Sequence, residues 1–83
     1  MAGLYWLMVT VYRSGGLRFE IFTDDHEPAH VHVKGDGVAK IQISGRPEVA
    51  ANDGMKFSEL RKAMRTVESE LLYFRKRWRD IHG

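Results

Sequence analysis

The chain has 83 residues, enough for one domain with a small core, and its 43% hydrophobic and 29% charged residues are typical of a globular protein. It has no cysteine, which excludes disulfides, thiolate metal sites and a thiol nucleophile. The net charge is only +2, but residues 56–83 carry eight basic and four acidic side chains, so the positive charge is concentrated in the C-terminal third.

The N-terminal quarter predicts a β-hairpin. Residues 4–13 are rich in β-branched and aromatic side chains, and residues 17–23 alternate apolar and polar ones, so both segments predict strands. Residues 14–16, Ser-Gly-Gly, supply the turn. The apolar residues 4–11 are too few to cross a bilayer and lack the basic leader of a secretory signal, so we expect a cytoplasmic protein that binds no membrane.

A second hairpin is predicted directly after an acidic loop at residues 24–28. Its strands are residues 29–34 and 38–44, which alternate apolar and polar side chains. The turn Gly35-Asp36-Gly37 lies between them, and we expect glycine there because it tolerates positive φ angles at little cost. Residues 45–55 contain two glycines, a proline, an asparagine and an aspartate, which predicts an irregular connection.

The last predicted element is one long helix over residues 58–82, with Ser58 as its N-cap and Gly83 as its stop. Its apolar residues follow one another at alternating steps of four and three, as on a helix that packs along one side. They are Leu60, Met64, Val67, Leu71, Phe74, Trp78 and Ile81. A helix of roughly 37 Å is longer than strands of five to eight residues, so one end should overhang the sheet and need a partner chain to cover it.

We therefore predict a single α+β domain over residues 1–83, a four-stranded antiparallel β-meander with one face covered by the C-terminal helix. Side chains on a strand alternate between faces, so the face away from the helix should be polar. The residues expected there are Arg18, Glu20, His30, His32, Lys34, Lys40 and Gln42.

The most informative segment is residues 24–34, which hold three of the four histidines and three of the eleven acids. Two imidazoles on one face can share the base and acid roles in cleaving a phosphodiester, with the 2′-hydroxyl of RNA as nucleophile and no metal. We name His30 and His32 as this catalytic pair, with His26 and Glu27 as further catalytic candidates. The predicted phosphate contacts are Arg18, Lys34, Lys40, Arg75, Lys76 and Arg79.

Two other interpretations of these residues remain open. The first is a divalent metal site with His26, His30 and His32 as candidate ligands, completed by an acid of the same loop. The second is structural: His26 or Glu27 satisfies backbone donors in a bent loop, and Pro28 sets the direction of the following strand. The basic residues near the helix end also favour the helix dipole, which explains part of them without nucleic acid.

Several segments together resemble a known family. They are the hairpin run at residues 13–19, the run at residues 26–33, Gly-Asp-Gly-Val-Ala-Lys at residues 35–40, and Trp-Arg-Asp-Ile-His-Gly at residues 78–83. They resemble a small bacterial domain-of-unknown-function family, of DUF 4160 type, with the signature His-Glu-Pro-Pro-His-Val-His-Val. Ala29 stands here in place of the second proline. The matching positions are His26, Glu27, Pro28, His30 and His32, with Trp78 and His82 in the C-terminal motif.

The resemblance implies the toxin-like half of a type II toxin–antitoxin pair, without established catalytic residues. We therefore expect a toxin-like protein that binds or acts on RNA, with metal-independent cleavage as an open alternative to binding alone. No cofactor is expected, a divalent metal being the alternative. The expected partners are a small antitoxin-like protein, RNA, and a second copy through the C-terminal helix. The competing functions are a non-catalytic protein–protein interaction module and a small metal-binding domain that uses the clustered histidines.

Overall fold

A computed structural model describes residues 7–83, which form one antiparallel sheet followed by two helices. The strands are β1 (Met8–Ser14), β2 (Leu17–Phe22), β3 (His30–Lys34), β4 (Val38–Gln42) and β5 (Glu48–Asp53), and the helices are α1 (Phe57–Ser69) and α2 (Leu71–His82). Each strand pairs with the next, in the order β1-β2-β3-β4-β5. The predicted α+β meander is thus confirmed in outline, while residues 4–6 of the predicted first strand lie outside the described residues.

The sheet has a fifth strand where the sequence predicted an irregular connection. All six residues of β5 are exposed, and the strand is held by its pairing with β4. Its centre, Ala50-Ala51-Asn52, has low β propensity and shows no alternation of apolar and polar residues. The prediction of four strands was therefore wrong, because backbone pairing rather than burial forms this strand.

The single predicted helix is two helices, separated at Glu70, whose φ of −111° and ψ of 23° are not helical. The backbone still bridges the break, because the Glu70 amide donates to Thr66 and the Phe74 amide donates to Glu70. The two helices therefore present a continuous face, and all seven residues of the apolar stripe lie in the core or against it. None of the described helices is long and apolar enough to cross a membrane.

The helix also begins one residue earlier than predicted. Lys56, rather than Ser58, is the N-cap, and it makes no side-chain capping bond. The turn before it is closed by Asn52, whose side chain donates to the Met55 carbonyl and accepts from the Met55 amide. Met55 is buried, so it fixes the position of the chain just before the first residue of α1. The predicted stop at Gly83 is confirmed.

The core lies between the helices and one face of the sheet. It is built from alternate residues of β2, β3 and β4 and from the inner residues of the helices, including Phe19, Val31, Ile41, Phe74 and Trp78. A bulge in β1 between Thr10 and Tyr12 disturbs the alternation. The Val11 carbonyl at this bulge accepts a hydrogen bond from the Tyr73 hydroxyl at 2.7 Å, which ties α2 to the first strand.

The turn between β3 and β4 needs glycine for a reason other than the predicted one. Neither Gly35 nor Gly37 has a positive φ angle. Instead, a Cβ atom on Gly37 would overlap the backbone of Gly54 and Met55. The turn and the connection from β5 to α1 thus approach more closely than any side chain allows.

Candidate functional site

The site is formed where β2 and β3 separate. Their pairing extends only to Glu20 and His32, and residues 23–29 join the two strands beyond that point. Asp25 folds this loop back on itself: its carboxylate accepts from the Phe22 amide at 2.9 Å, and its own amide donates to the Phe22 carbonyl at 3.1 Å. The Asp25 carboxylate is thereby held next to the first residues of β3.

Two imidazoles converge on this carboxylate. The Nε2 atoms of His30 and His32 lie 3.3 Å and 3.2 Å from the Asp25 oxygens Oδ1 and Oδ2. One potential ligand atom from each of the three residues lies within 4.8 Å of the other two. The exposed fractions of the side chains are 6% for His30, 14% for Asp25 and 21% for His32, so the group is largely buried and opens to solvent mainly at His32.

The hydrogen bonds of His30 fix the polarity of this contact. Its Nδ1 atom lies 2.9 Å from the Pro28 carbonyl oxygen, which can only accept, so Nδ1 must carry a hydrogen. In a neutral ring the Nε2 atom then has a lone pair, and this atom lies 3.3 Å from Asp25 Oδ1 but outside hydrogen-bond geometry. Two acceptors are therefore close together, and a proton or another cation shared by them would stabilise the contact.

The carboxylate itself is held in its charged form. Burial raises the pKa of Asp25, but hydrogen bonds from the Phe22 amide and His32, together with the charge of both imidazoles, outweigh the burial. The net pKa therefore lies below the ordinary carboxyl value. Asp25 is therefore an anion at neutral pH, and a positively charged partner beside it would be stabilised.

The end of α2 forms the back wall of the site. The Trp78 ring lies 5.2 Å from the His30 ring and 3.9 Å from the His82 ring, centroid to centroid. The Trp78 indole donates to the Glu27 carboxylate at 3.1 Å, and the His82 ring nitrogens lie 3.1 Å from the Trp78 and Phe22 carbonyls. His82 thus reaches the sheet but contacts backbone oxygens rather than Asp25.

This wall corrects the prediction that both imidazoles lie on an exposed surface. His32 is partly exposed, as alternation predicts, whereas His30 is buried against Trp78. Alternation predicts the face of the sheet on which a side chain lies. It does not predict that Trp78, which lies 48 positions later in the chain, packs against His30.

An open pocket of about 360 Å³ lies in front of the site. It is lined by the loop from Asp24 to Pro28 and by side chains of β3, β4 and β5, which are His30, His32, Lys40, Gln42 and Ala50. His26 is exposed at this pocket and lies outside the Asp25 group. The pocket therefore brings three carboxylates, three imidazoles, an ammonium and an amide to one concave surface.

A second charged group lies beside it on the same face. Glu20 is fully buried, and its oxygens lie 3.1 Å from Lys34 Nζ and 3.4 Å from Arg18 Nε. Neither contact has the geometry of a hydrogen bond, so the group is held together by charge. The expectation that Glu20 is exposed on the polar face was wrong, because the long side chains of its neighbours fold over it.

The structure separates the six predicted phosphate-contacting residues into two groups. Arg18, Lys34 and Lys40 lie on the sheet face away from the helices, whereas the other three lie on α2. Arg75 donates to the carbonyls of Ile43 and Gly45, each at 2.8 Å, so it fastens the loop after β4. Of the other two, Lys76 pairs with Asp80 and Arg79 is exposed.

Sequence reasoning did not single out Asp25 as the residue that holds the site together. Residues 24–27 are Asp, Asp, His and Glu, and all four offer suitable side chains. The hydrogen bond from the Phe22 amide holds the Asp25 side chain inward, and no sequence pattern marks this contact.

Comparisons with known proteins identify the family. Residues 16–79 match the family model described as Domain of unknown function (DUF4160). Searches of the curated proteins and of the solved structures found no match. The matched segment is 64 of the 83 residues and includes Asp25, His30, His32 and Trp78. This chain therefore belongs to the DUF4160 family.

Proposed function

We propose that this domain is the toxin-like component of a type II toxin–antitoxin module in the cytoplasm, and that it binds RNA on the polar face of its sheet. The observation that supports this most directly is the position of Lys40. It lies across the strands from His32, it lines the pocket, and it makes no salt bridge with any residue in the described part of the chain. An unpaired ammonium beside imidazoles and a side-chain amide suits a phosphate ester.

The neighbouring cations extend this surface. Arg18 lies opposite Lys34 in the strand register, one row further along the same face. Both are partly exposed, although Glu20 offsets one of their two charges. A backbone phosphate at Lys40 and another near Arg18 and Lys34 would be held mainly by charge, so binding should weaken steeply with salt.

In the predicted catalytic pair, His32 Nε2 is hydrogen-bonded to Asp25, and His30 is buried with its Nε2 atom 3.3 Å from the same carboxylate. Neither is therefore free to take a proton from a 2′-hydroxyl group in the pocket. RNA binding, rather than metal-independent cleavage, is the function that this geometry supports best.

The test compares Lys40→Ala with Lys62→Ala, which removes the same charge from an exposed position on α1. Binding of a fluorescent single-stranded RNA oligonucleotide is measured by anisotropy over a range of salt concentrations. We expect Lys40→Ala to weaken binding about tenfold and to reduce the slope of log affinity against log salt by about one, with Lys62→Ala close to the wild type. Equal losses of RNA affinity in both variants would mean that binding depends on net charge alone and not on the position of Lys40.

The toxin-like role is tested separately by growth. Overexpression of the wild type should inhibit growth, and Lys40→Ala should relieve the inhibition at equal protein levels. If the wild type has no effect on growth, or if both lysine variants are equally toxic, the assignment fails.

A second surface favours an interaction with a protein partner. An apolar groove of about 420 Å³ lies between β5 and α1, lined by Val49, Phe57, Leu60 and Met64, with Arg61 and Arg65 on its rim. Phe57 is 74% exposed, and the outer edge of β5 pairs with no other described strand. We propose that the antitoxin-like partner covers this groove with an apolar segment flanked by acids, which would face the two arginines.

A second copy of the chain fits this edge less well. Antiparallel pairing of β5 with itself about its centre would place Glu48 opposite Asp53 at both ends, and like charges directly opposite are destabilising.

The exposed Phe57 side chain provides the test of the groove. Phe57→Glu should abolish co-purification with the product of a neighbouring gene, while the isolated variant remains a folded monomer. If light scattering instead shows a wild-type dimer that Phe57→Glu dissociates, the occupant is a second copy.

A further inference from the structure

We infer that Asp25, His30 and His32 form a binding site for one divalent transition-metal ion that faces the pocket. The inference goes beyond RNA binding and does not depend on it, because it rests on these three side chains alone. Two imidazole nitrogens and one carboxylate suit zinc, nickel, cobalt, manganese and iron. Magnesium and calcium prefer sites made only of oxygen ligands, so they should bind poorly.

The distances between the ligand atoms match such an ion. Asp25 Oδ1 lies 3.3 Å from the Nε2 atoms of both His30 and His32. Ligands about 2.0–2.1 Å from a tetrahedral ion are about 3.3–3.4 Å from one another, so two of the three edges already have the right length. A ring nitrogen of His30 and a ring nitrogen of His32 lie within 4.8 Å of each other.

The hydrogen bonds around the ligands are those of a metal site. His30 donates from Nδ1 to the Pro28 carbonyl, which leaves Nε2, 3.3 Å from Asp25 Oδ1, as the nitrogen that can bind an ion. Metal-binding histidines usually donate their other ring hydrogen to a carbonyl or carboxylate in this way. An ion bound by both groups would turn two neighbouring acceptors, His30 Nε2 and the Asp25 carboxylate, into two ligands.

The position of the site leaves room for further ligands. Trp78 closes the back, and all three residues line the open pocket in front. Three protein ligands with an open side are typical of metal sites that also bind water or a substrate, whereas purely structural sites are closed by four. A phosphate group is a suitable additional ligand here, because Lys40 lines the same pocket.

The test uses the full chain, purified with a cleavable N-terminal tag and treated with a chelator. Isothermal titration with zinc, nickel and manganese chlorides should show one ion bound per chain, and excess metal should raise the melting temperature. Magnesium chloride serves as the control salt and should cause no rise. Cobalt should give the visible absorption of a site with nitrogen ligands.

Two matched variants locate the binding. Asp25→Asn keeps the size of the side chain but should lower zinc affinity at least tenfold, whereas His26→Ala, an exposed histidine of the same loop, should leave it unchanged. Lys40→Ala should bind zinc as the wild type does, which separates this result from a failure of RNA binding. If Asp25→Asn does not fold, the cobalt spectrum of the wild type still decides. Absence of both zinc binding and a cobalt spectrum would falsify the inference, and so would an equal loss of affinity in His26→Ala.

Discussion

Two acids on the same face of the sheet, Glu20 and Asp25, are each held between two basic side chains, but they differ in one respect. Glu20 lies between the basic side chains of Arg18 and Lys34, so its negative charge is balanced within the fold. Asp25 lies between His30 and His32, whose imidazole nitrogens can also act as metal ligands. The first group is electrostatically complete within the fold, whereas the second has ligand atoms that can also hold an ion.

The largest expected effect comes from removing both partners of the complete group. Arg18→Met with Lys34→Met leaves a fully buried carboxylate without a cation, which should lower the free energy of unfolding by about 3–5 kcal/mol. Urea denaturation measures the change. Adding Glu20→Leu should restore most of the loss, because it removes the buried charge. A double variant as stable as the wild type would show that solvent reaches Glu20.

The next effect concerns the group around Asp25. Zinc at a hundredfold excess over its dissociation constant should raise the free energy of unfolding by about 2.7 kcal/mol, since only the folded chain holds the three ligands together. Glu20→Gln should keep this increment and Asp25→Asn should lose it. A zinc effect that both substitutions remove would mean that the two groups are coupled.

In the chelated protein, Asp25→Ala should cost about 1–3 kcal/mol, because the Phe22 amide and His32 lose their acceptor. The control is Asp24→Ala, at the exposed position beside it, which should change stability by no more than about 0.5 kcal/mol. Similar losses at the two positions would mean that the loop is not fastened by Asp25 alone. Thermal and urea unfolding provide both values.

The smallest effect is a difference in acid sensitivity. The pKa of Asp25 is lower in the folded chain than the ordinary value of about 3.9, so its charged form adds stability above that value. That contribution is lost as the pH falls from about 3.9 through the lowered folded pKa. Asp25→Asn should therefore lose less stability than the wild type over this acid range, measured by urea unfolding in chelator. If the stability of Asp25→Asn and that of the wild type fall in parallel with pH, Asp25 is not the source of the acid sensitivity.

Regular periodicity predicted most of the fold. The period of two in residues 17–44 predicted β2, β3 and β4, and the steps of four and three predicted the buried side of both helices. The fifth strand could not be predicted in this way, because all of its residues are exposed and its form depends on pairing with β4. The break at Glu70 has neither glycine nor proline to mark it.

The candidate site was predicted to the same extent and for the same reason. Alternation placed His30 and His32 on one face, because both belong to a strand. It could not choose between Asp25 and His26, since loop residues have no fixed period and one backbone hydrogen bond decides which turns inward. Nor could it predict the burial of His30, because Trp78 comes from a distant part of the chain.

The contact between α2 and the site has a practical consequence for purification. His82 precedes the last residue and holds the Phe22 carbonyl, while Trp78, one turn earlier, contacts His30. A polyhistidine tag fused after Gly83 would bring additional imidazoles within reach of Asp25, and it could supply ligands that belong to the tag rather than to the domain. Metal titrations of a C-terminally tagged preparation would then overstate the affinity of the native side chains.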